Sequence, residues 1–190
     1  MSKVPELRYV FIFVSPLQLL AHPLSFTTPS SLLSLVAMAT STSNPSTKTV
    51  GETSLSTLLS TLEPILHDQT YFFLTLPSST PIPSTLQPLM TFRESEGTTL
   101  ILTEPEVQEH NLKSQAIFPC KMITLNVHSS LEAVGFLAVV ATALKKRGMG
   151  VNPVAGYYHD HLFIPVGMEA DAVKVLEELR KEASEGKVDW

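Results

Sequence analysis

Beyond residue 50, apolar positions fall into helix-like and strand-like blocks. Leu55, Leu58, Leu59 and Leu62 follow Thr53-Ser54 at the i, i+3, i+4, i+7 spacing of one buried helical face. Pro64 and Asp68 are expected to close that region. Residues 71–76 predict a strand with Phe72, Leu74 and Leu76 on one face. A Pro/Ser/Thr loop spans 77–88. Met90-Thr91-Phe92-Arg93 and residues 98–102 flank Glu94-Ser95-Glu96-Gly97, a hairpin signature with glycine in the turn. Residues 104–112 predict a short polar helix.

The second half is more sharply patterned. Ile123, Leu125 and Val127 alternate with Thr124, Asn126 and His128, as in a strand with one buried face. Ser129-Ser130-Leu131-Glu132 matches a capping box, which predicts a helix from there to Lys145. Lys145-Lys146-Arg147 then puts cations at the negative end of the helix dipole, and Gly148 supplies a left-handed stop. Residues 133–144 carry no charge. A helix apolar all round needs cover on more than one side, so the other half of the chain or a second subunit is expected against it. Residues 150–157 and 162–166 predict two more strands, joined through Tyr158-His159-Asp160-His161. Ala172, Val173, Leu176, Leu179 and Ala183 mark a final amphipathic helix. The order β-α-β-β-α implies a small antiparallel sheet with helices on one face, the ferredoxin-like α+β arrangement.

Composition changes the picture mainly before residue 48. Residues 9–47 hold no Asp, Glu, Lys or Arg, whereas residues 48–190 hold 11 basic and 17 acidic residues. That break marks a boundary near residue 48. The leader has the outline of a secretory signal: Lys3 and Arg8, an apolar run, and Ala37-Met38-Ala39 as a small-x-small site. Pro16, Pro23 and Glu6 argue against that reading. The alternatives are an organelle signal, a disordered tail, or an upstream extension with the start at Met38. The run is too interrupted for a transmembrane span. The net charge of −5 argues against a nucleic-acid partner.

Catalytic chemistry is weakly signalled. His128, His159 and His161, with Asp160, suggest a metal-dependent hydrolase, but His159 and His161 flank a turn and no further ligand has recognisable spacing. Cys120 lacks a paired His motif and reads as an inert thiol. Glu94 and Glu96 read as a solvated hairpin end. No nucleotide or nucleophile-elbow fingerprint occurs. No metal and no cofactor are expected.

The stretch "ITLNVHSSLEAVGFLAVVATALKKRGMGVNPVAGYYHDHLFIP" resembles the ACT domain, and is similar to the tandem ACT proteins related to the CASTOR amino-acid sensors and to aspartokinase regulatory regions. "GETSLSTLLSTLEPIL" and "FRESEGTTLIL" resemble the N-terminal half that accompanies it. The resemblance implies two ferredoxin-like units of βαββαβ type, at residues 49–117 and 118–186, after a leader at 1–48. It implies a regulatory or sensor protein rather than an enzyme, binding a small metabolite, foremost an amino acid. It implies a homo-oligomer or protein partner joined through a sheet edge, with no membrane and a cytoplasmic location unless the leader is a targeting signal. Carried onto this chain, the ligand site is the loop His128, Ser129, Ser130 and Leu131, with Val134 and Gly135 in the first helical turns. Asn152, Val154, Ala155 and Gly156 join from the second strand, and Asp160 from the hairpin. A helix N-terminus suits a carboxylate, and Asp160 suits an ammonium. Ser129 reads equally as a plain N-cap and Gly135 as a close-packing glycine. A ligand-free adaptor is the remaining class.

Overall fold

The computed structural model describes residues 50–188, so the expectations for the leader lie outside the described residues. The elements are α1 (Leu55–Ser60), β1 (Pro64–Pro77), β2 (Met90–Arg93), β3 (Gly97–Thr103), α2 (Glu104–Glu109), β4 (Ile117–Leu125), α3 (Phe136–Lys146), β5 (Asn152–Ala155), β6 (Asp160–Pro165) and α4 (Glu169–Ser184). All six strands join one antiparallel sheet in the order β2-β3-β1-β4-β6-β5. This is the α+β, tandem ferredoxin-like arrangement expected from the sequence.

Strand alternation separates the two faces. On one face Ile123, Leu125, Leu162 and Ile164 pack beneath the three longer-range helical contributors, α1, α3 and α4. The core there includes Leu58, Leu59 and Leu62, Phe136, Val140 and Leu144, and Ala172, Leu176 and Leu179. Further along the sheet, Leu74, Leu76, Leu100 and Leu102 are covered by Leu86 and by Val107 of α2. The opposite face gathers Tyr71, Ile101, Cys120, Met122 and Phe163. There Phe163 meets Tyr71 and Phe73 edge-on, with ring centroids 5.9 and 5.5 Å apart.

Several boundaries differ from expectation. Pro64 and Asp68 do not end a helical region in a loop; both lie within the long strand β1. Pro64 takes its first position, where a missing N–H costs least. Asp68 falls where the β1–β4 register shifts between Leu66 and Thr70. β4 starts six residues before Ile123 and stops at Leu125, so Val127 is outside the strand.

The largest difference is at α3. Its N-cap is Gly135, not Ser129, and the predicted capping box at 129–132 does not form. Ser129 and Ser130 are held elsewhere, as described below. Val134 therefore lies in a loop and not in the helix. The stop is as predicted: Gly148 has φ +73°, and the N–H of Met149 donates to the carbonyl of Leu144 at 3.2 Å. Arg147 pairs with Glu178 of α4 at 2.8 Å. The outward side of α3 is Ala138 and Thr142, small enough to face water without a charge. This helix therefore does not itself require a second subunit.

Candidate ligand-binding site

Asp160 begins β6 and pairs with Leu125, the last residue of β4. This register brings two connections to one end of the sheet: residues 126–135 between β4 and α3, and residues 156–159 between β5 and β6. Three contacts tie them. Ser129 Oγ donates to Asp160 Oδ2 at 2.8 Å. His159 Nδ1 lies 3.3 Å from the Val127 carbonyl oxygen. The rings of His128 and Tyr158 lie 5.2 Å apart. The turn closes with the Gly156 N–H on the His159 carbonyl at 2.9 Å. A side chain at Gly156 would put its Cβ 2.7 Å from that oxygen, so the turn requires glycine.

A third segment clamps the loop from the other side. The N–H of Glu52 donates to the His128 carbonyl at 2.8 Å, and the N–H of Ser130 donates to the Glu52 carbonyl at 2.9 Å. Gly51 sits at φ +103°, and a Cβ there would lie 2.7 Å from the Ser130 nitrogen. The Glu52 carboxylate accepts from the N–H groups of Thr53 and Ser54, at the start of α1. These contacts explain the missing capping box. Ser129 spends its hydroxyl on Asp160, and the backbone of 128–130 pairs with the strap at Gly51-Glu52 instead of turning into a helix. Sequence reasoning missed both strap residues. The available signal was faint: Gly51 is the first glycine in the chain.

Ser129 and Asp160 are 6% exposed. Burial raises the pKa of Asp160 above the usual aspartate value, opposed by the Ser129 hydrogen bond and by His161 and His159. Among the described residues, the buried Nε2 of His128 stands without a hydrogen-bond partner. Ser130 Oγ accepts from the Glu132 N–H at 3.2 Å, a local turn. Gly135 caps α3 in the left-handed region at φ +89°, with no side-chain cap on the helix. Its Cβ position meets only Leu55 Cδ2, at 3.5 Å, so tight helix–sheet packing is not what selects glycine here.

The structure thus gathers His128, Ser129, Ser130, Gly156 and Asp160. Leu131 and Val134 stand exposed on the same loop. Ala155 pairs with Asp160 and flanks the site, while Val154 packs towards the Phe163 cluster on the other face. Asn152 is separated from the rest. It pairs with Phe163, three residues further along the sheet from Ala155, or roughly 10 Å.

The histidines diverge. His161 Nδ1 lies 3.0 Å from Thr124 Oγ1, which also meets His67 Nε2 at 2.8 Å. His159 faces a carbonyl and His128 faces a tyrosine ring. Among the described residues no group of three or more His, Cys, Asp or Glu is arranged to hold a metal ion. Burial pushes the Cys120 thiol up to about 12, which leaves it un-ionised at neutral pH. No helix among the described residues is long and apolar enough to cross a membrane.

Fold and site together define an α+β module in which a loop preceding a helix and a neighbouring hairpin form a small polar end-site. Comparison with known proteins bears on the family and the fold. The ACT domain matches residues 50–121, and a second ACT domain matches residues 117–178. A protein of unknown function from Vibrio cholerae, described as a possible transport protein, is 38% identical with a TM-score of 0.59, and the match covers 66% of this chain and 95% of that one. A protein from Agrobacterium tumefaciens is 14% identical with a TM-score of 0.53, covering 63% and 89%. The regulatory subunit of aspartate kinase from Thermus thermophilus, in its ligand-free form, is 10% identical with a TM-score of 0.47, covering 61% and 95%. No curated protein matches. The chain belongs to the ACT-domain family and carries two ACT domains in tandem. Domains of this family serve ligand-linked regulation rather than catalysis.

Proposed function

We propose that this protein is a non-catalytic sensor that binds a free amino acid at the second ACT domain. The observation that carries the reading is the buried Asp160, held by Ser129 of the loop that leads into α3, whose N-terminus has no side-chain cap. A buried carboxylate is costly unless a cation meets it. An α-ammonium group supplies that cation. The same ligand's carboxylate suits the free N–H groups and positive dipole end of α3. Binding would stiffen the loop at 126–135 and, through the strap at Gly51-Glu52, the start of α1 in the first domain. In this reading residues 49–117 and 118–186 act as the two domains. The signal leaves through the exposed edge strands β2 and β5 to a second copy or another protein.

The test is a thermal-shift panel of the twenty amino acids on the full chain. A ligand at about 100 times its Kd adds about 2.7 kcal/mol, enough to raise the midpoint by several degrees. Asp160→Asn should fold, because an amide oxygen still accepts from Ser129, and should lose the shift. A flat panel, or an equal shift in Asp160→Asn, overturns the proposal; the flat panel turns the reading towards a ligand-free adaptor.

A further inference from the structure

We infer that the ligand carries an aromatic side chain. The inference rests on the reading above and adds the chemical class of the amino acid. The turn that delivers Asp160 also carries Tyr157 and Tyr158, which are 59% and 60% exposed, with ring centroids 4.9 Å apart in an edge-on pair. Tyrosine ordinarily hides most of its ring. Here two neighbouring rings stand in solvent within three residues of the buried carboxylate. Tyr158 also lies against His128, whose buried Nε2 has no partner among the described residues. The opposing loop contributes Leu131 and Val134, 67% and 84% exposed. Both connections that meet at Ser129–Asp160 therefore expose large apolar or aromatic side chains.

Charge narrows the class further. Residues 126–135 and 156–159 contain no Lys or Arg, and Glu132 is their one carboxylate. An acidic side chain would find no Lys or Arg on these two connections, only the imidazoles of His128 and His159, and would face both Glu132 and Asp160. A basic side chain would find only the exposed Glu132, and a solvated pair of that kind contributes little. With the ammonium at Asp160, the side chain leaves past Tyr158, two residues away. An aromatic ring there gains edge-on contact with two tyrosines, which is worth about three- to tenfold in affinity beyond simple burial.

The test is calorimetric titration of the full chain with L-phenylalanine, L-leucine, L-glutamate and L-arginine. Phenylalanine should bind tightest, with glutamate and arginine weaker by about tenfold or more. Tyr157→Ser and Tyr158→Ser change exposed positions. Each should weaken phenylalanine about three- to tenfold and leucine less, so that the preference between the two collapses. Tyr158→Phe should retain it. Tighter binding of glutamate or arginine, or an unchanged phenylalanine-to-leucine ratio in both serine variants, overturns the aromatic assignment. Where Asp160→Asn still abolishes that binding, the amino-acid site itself stands. Binding of none of the four overturns the aromatic assignment, and the twenty-member panel then decides the site.

Discussion

The polar end-site depends on backbone positions as much as on its side chains. Gly51 is the sharpest case. Its positive φ and the 2.7 Å approach to the Ser130 nitrogen leave no room for a Cβ. Gly51→Ala is expected to cost about 2 kcal/mol or more, from backbone strain and from displacement of the strap. Denaturant unfolding checks the stability, and hydrogen exchange at Ser130 checks the strap. A cost below about 0.5 kcal/mol would show that the strap does not hold the loop. Ser129 shows why such a residue misleads a sequence reading. Ser-x-x-Glu at 129–132 has the form of a helix start, yet the hydroxyl donates across the sheet to Asp160. Thr103-x-x-Glu106 has the same form and does behave so: the Glu106 carboxylate accepts from the Thr103 N–H at 3.0 Å and hydroxyl at 2.7 Å, at the start of α2. A local motif cannot reveal a partner 31 residues away.

Among elements, the strands carry a second polar feature, separate from the proposed ligand contacts. His67 of β1, Thr124 of β4 and His161 of β6 form a chain across three neighbouring strands. The single Thr124 hydroxyl proton can serve at most one ring, so at least one of the two imidazoles must donate to the hydroxyl oxygen. Burial, with repulsion from His159 and His67, holds His161 below the ordinary 6.5, and Asp160 pulls the other way. A lowered folded-state value means the stabilisation is full above about pH 6.5 and is lost as pH falls through the lowered value. The raised pKa of Asp160 works in the opposite sense: the folded state takes up that proton first as pH falls. Urea midpoints should therefore drop from pH 7.5 to pH 5, and His161→Gln should flatten that drop. An unchanged slope in the variant would contradict the assignment. The helices were legible in period and less so in extent. The faces of α1 and α4 followed from spacing, as did the Gly148 stop. The start of α3 did not, because long-range pairing of residues 128–130 overrides the local signal.

Across the whole molecule, the two halves of the sequence are not two separate cores. The two ACT matches overlap at residues 117–121, inside β4, which pairs with β1 and makes the sheet continuous. α1 belongs to the first match, yet it packs with α3 and α4 over Ile123 and Leu125. Periodicity shows that Leu58, Leu59 and Leu62 are buried, but not which strands bury them. The α+β class could be read from the sequence, and the loop of the proposed site was pointed to by the family resemblance. The interleaving of α1 and the strap could not, since both depend on contacts more than 60 residues apart. This architecture gives the proposed site a direct route to the first domain through Gly51 and Glu52.

The most direct measurement is an amide NMR titration of the full chain with the amino acid that gives the strongest thermal shift. The account predicts that shifts concentrate at residues 128–136 and 156–161, extend to Gly51 and Glu52, and vanish in Asp160→Asn. Shifts confined to β2, β3 and α2, or no shifts at saturating amino acid, would contradict it.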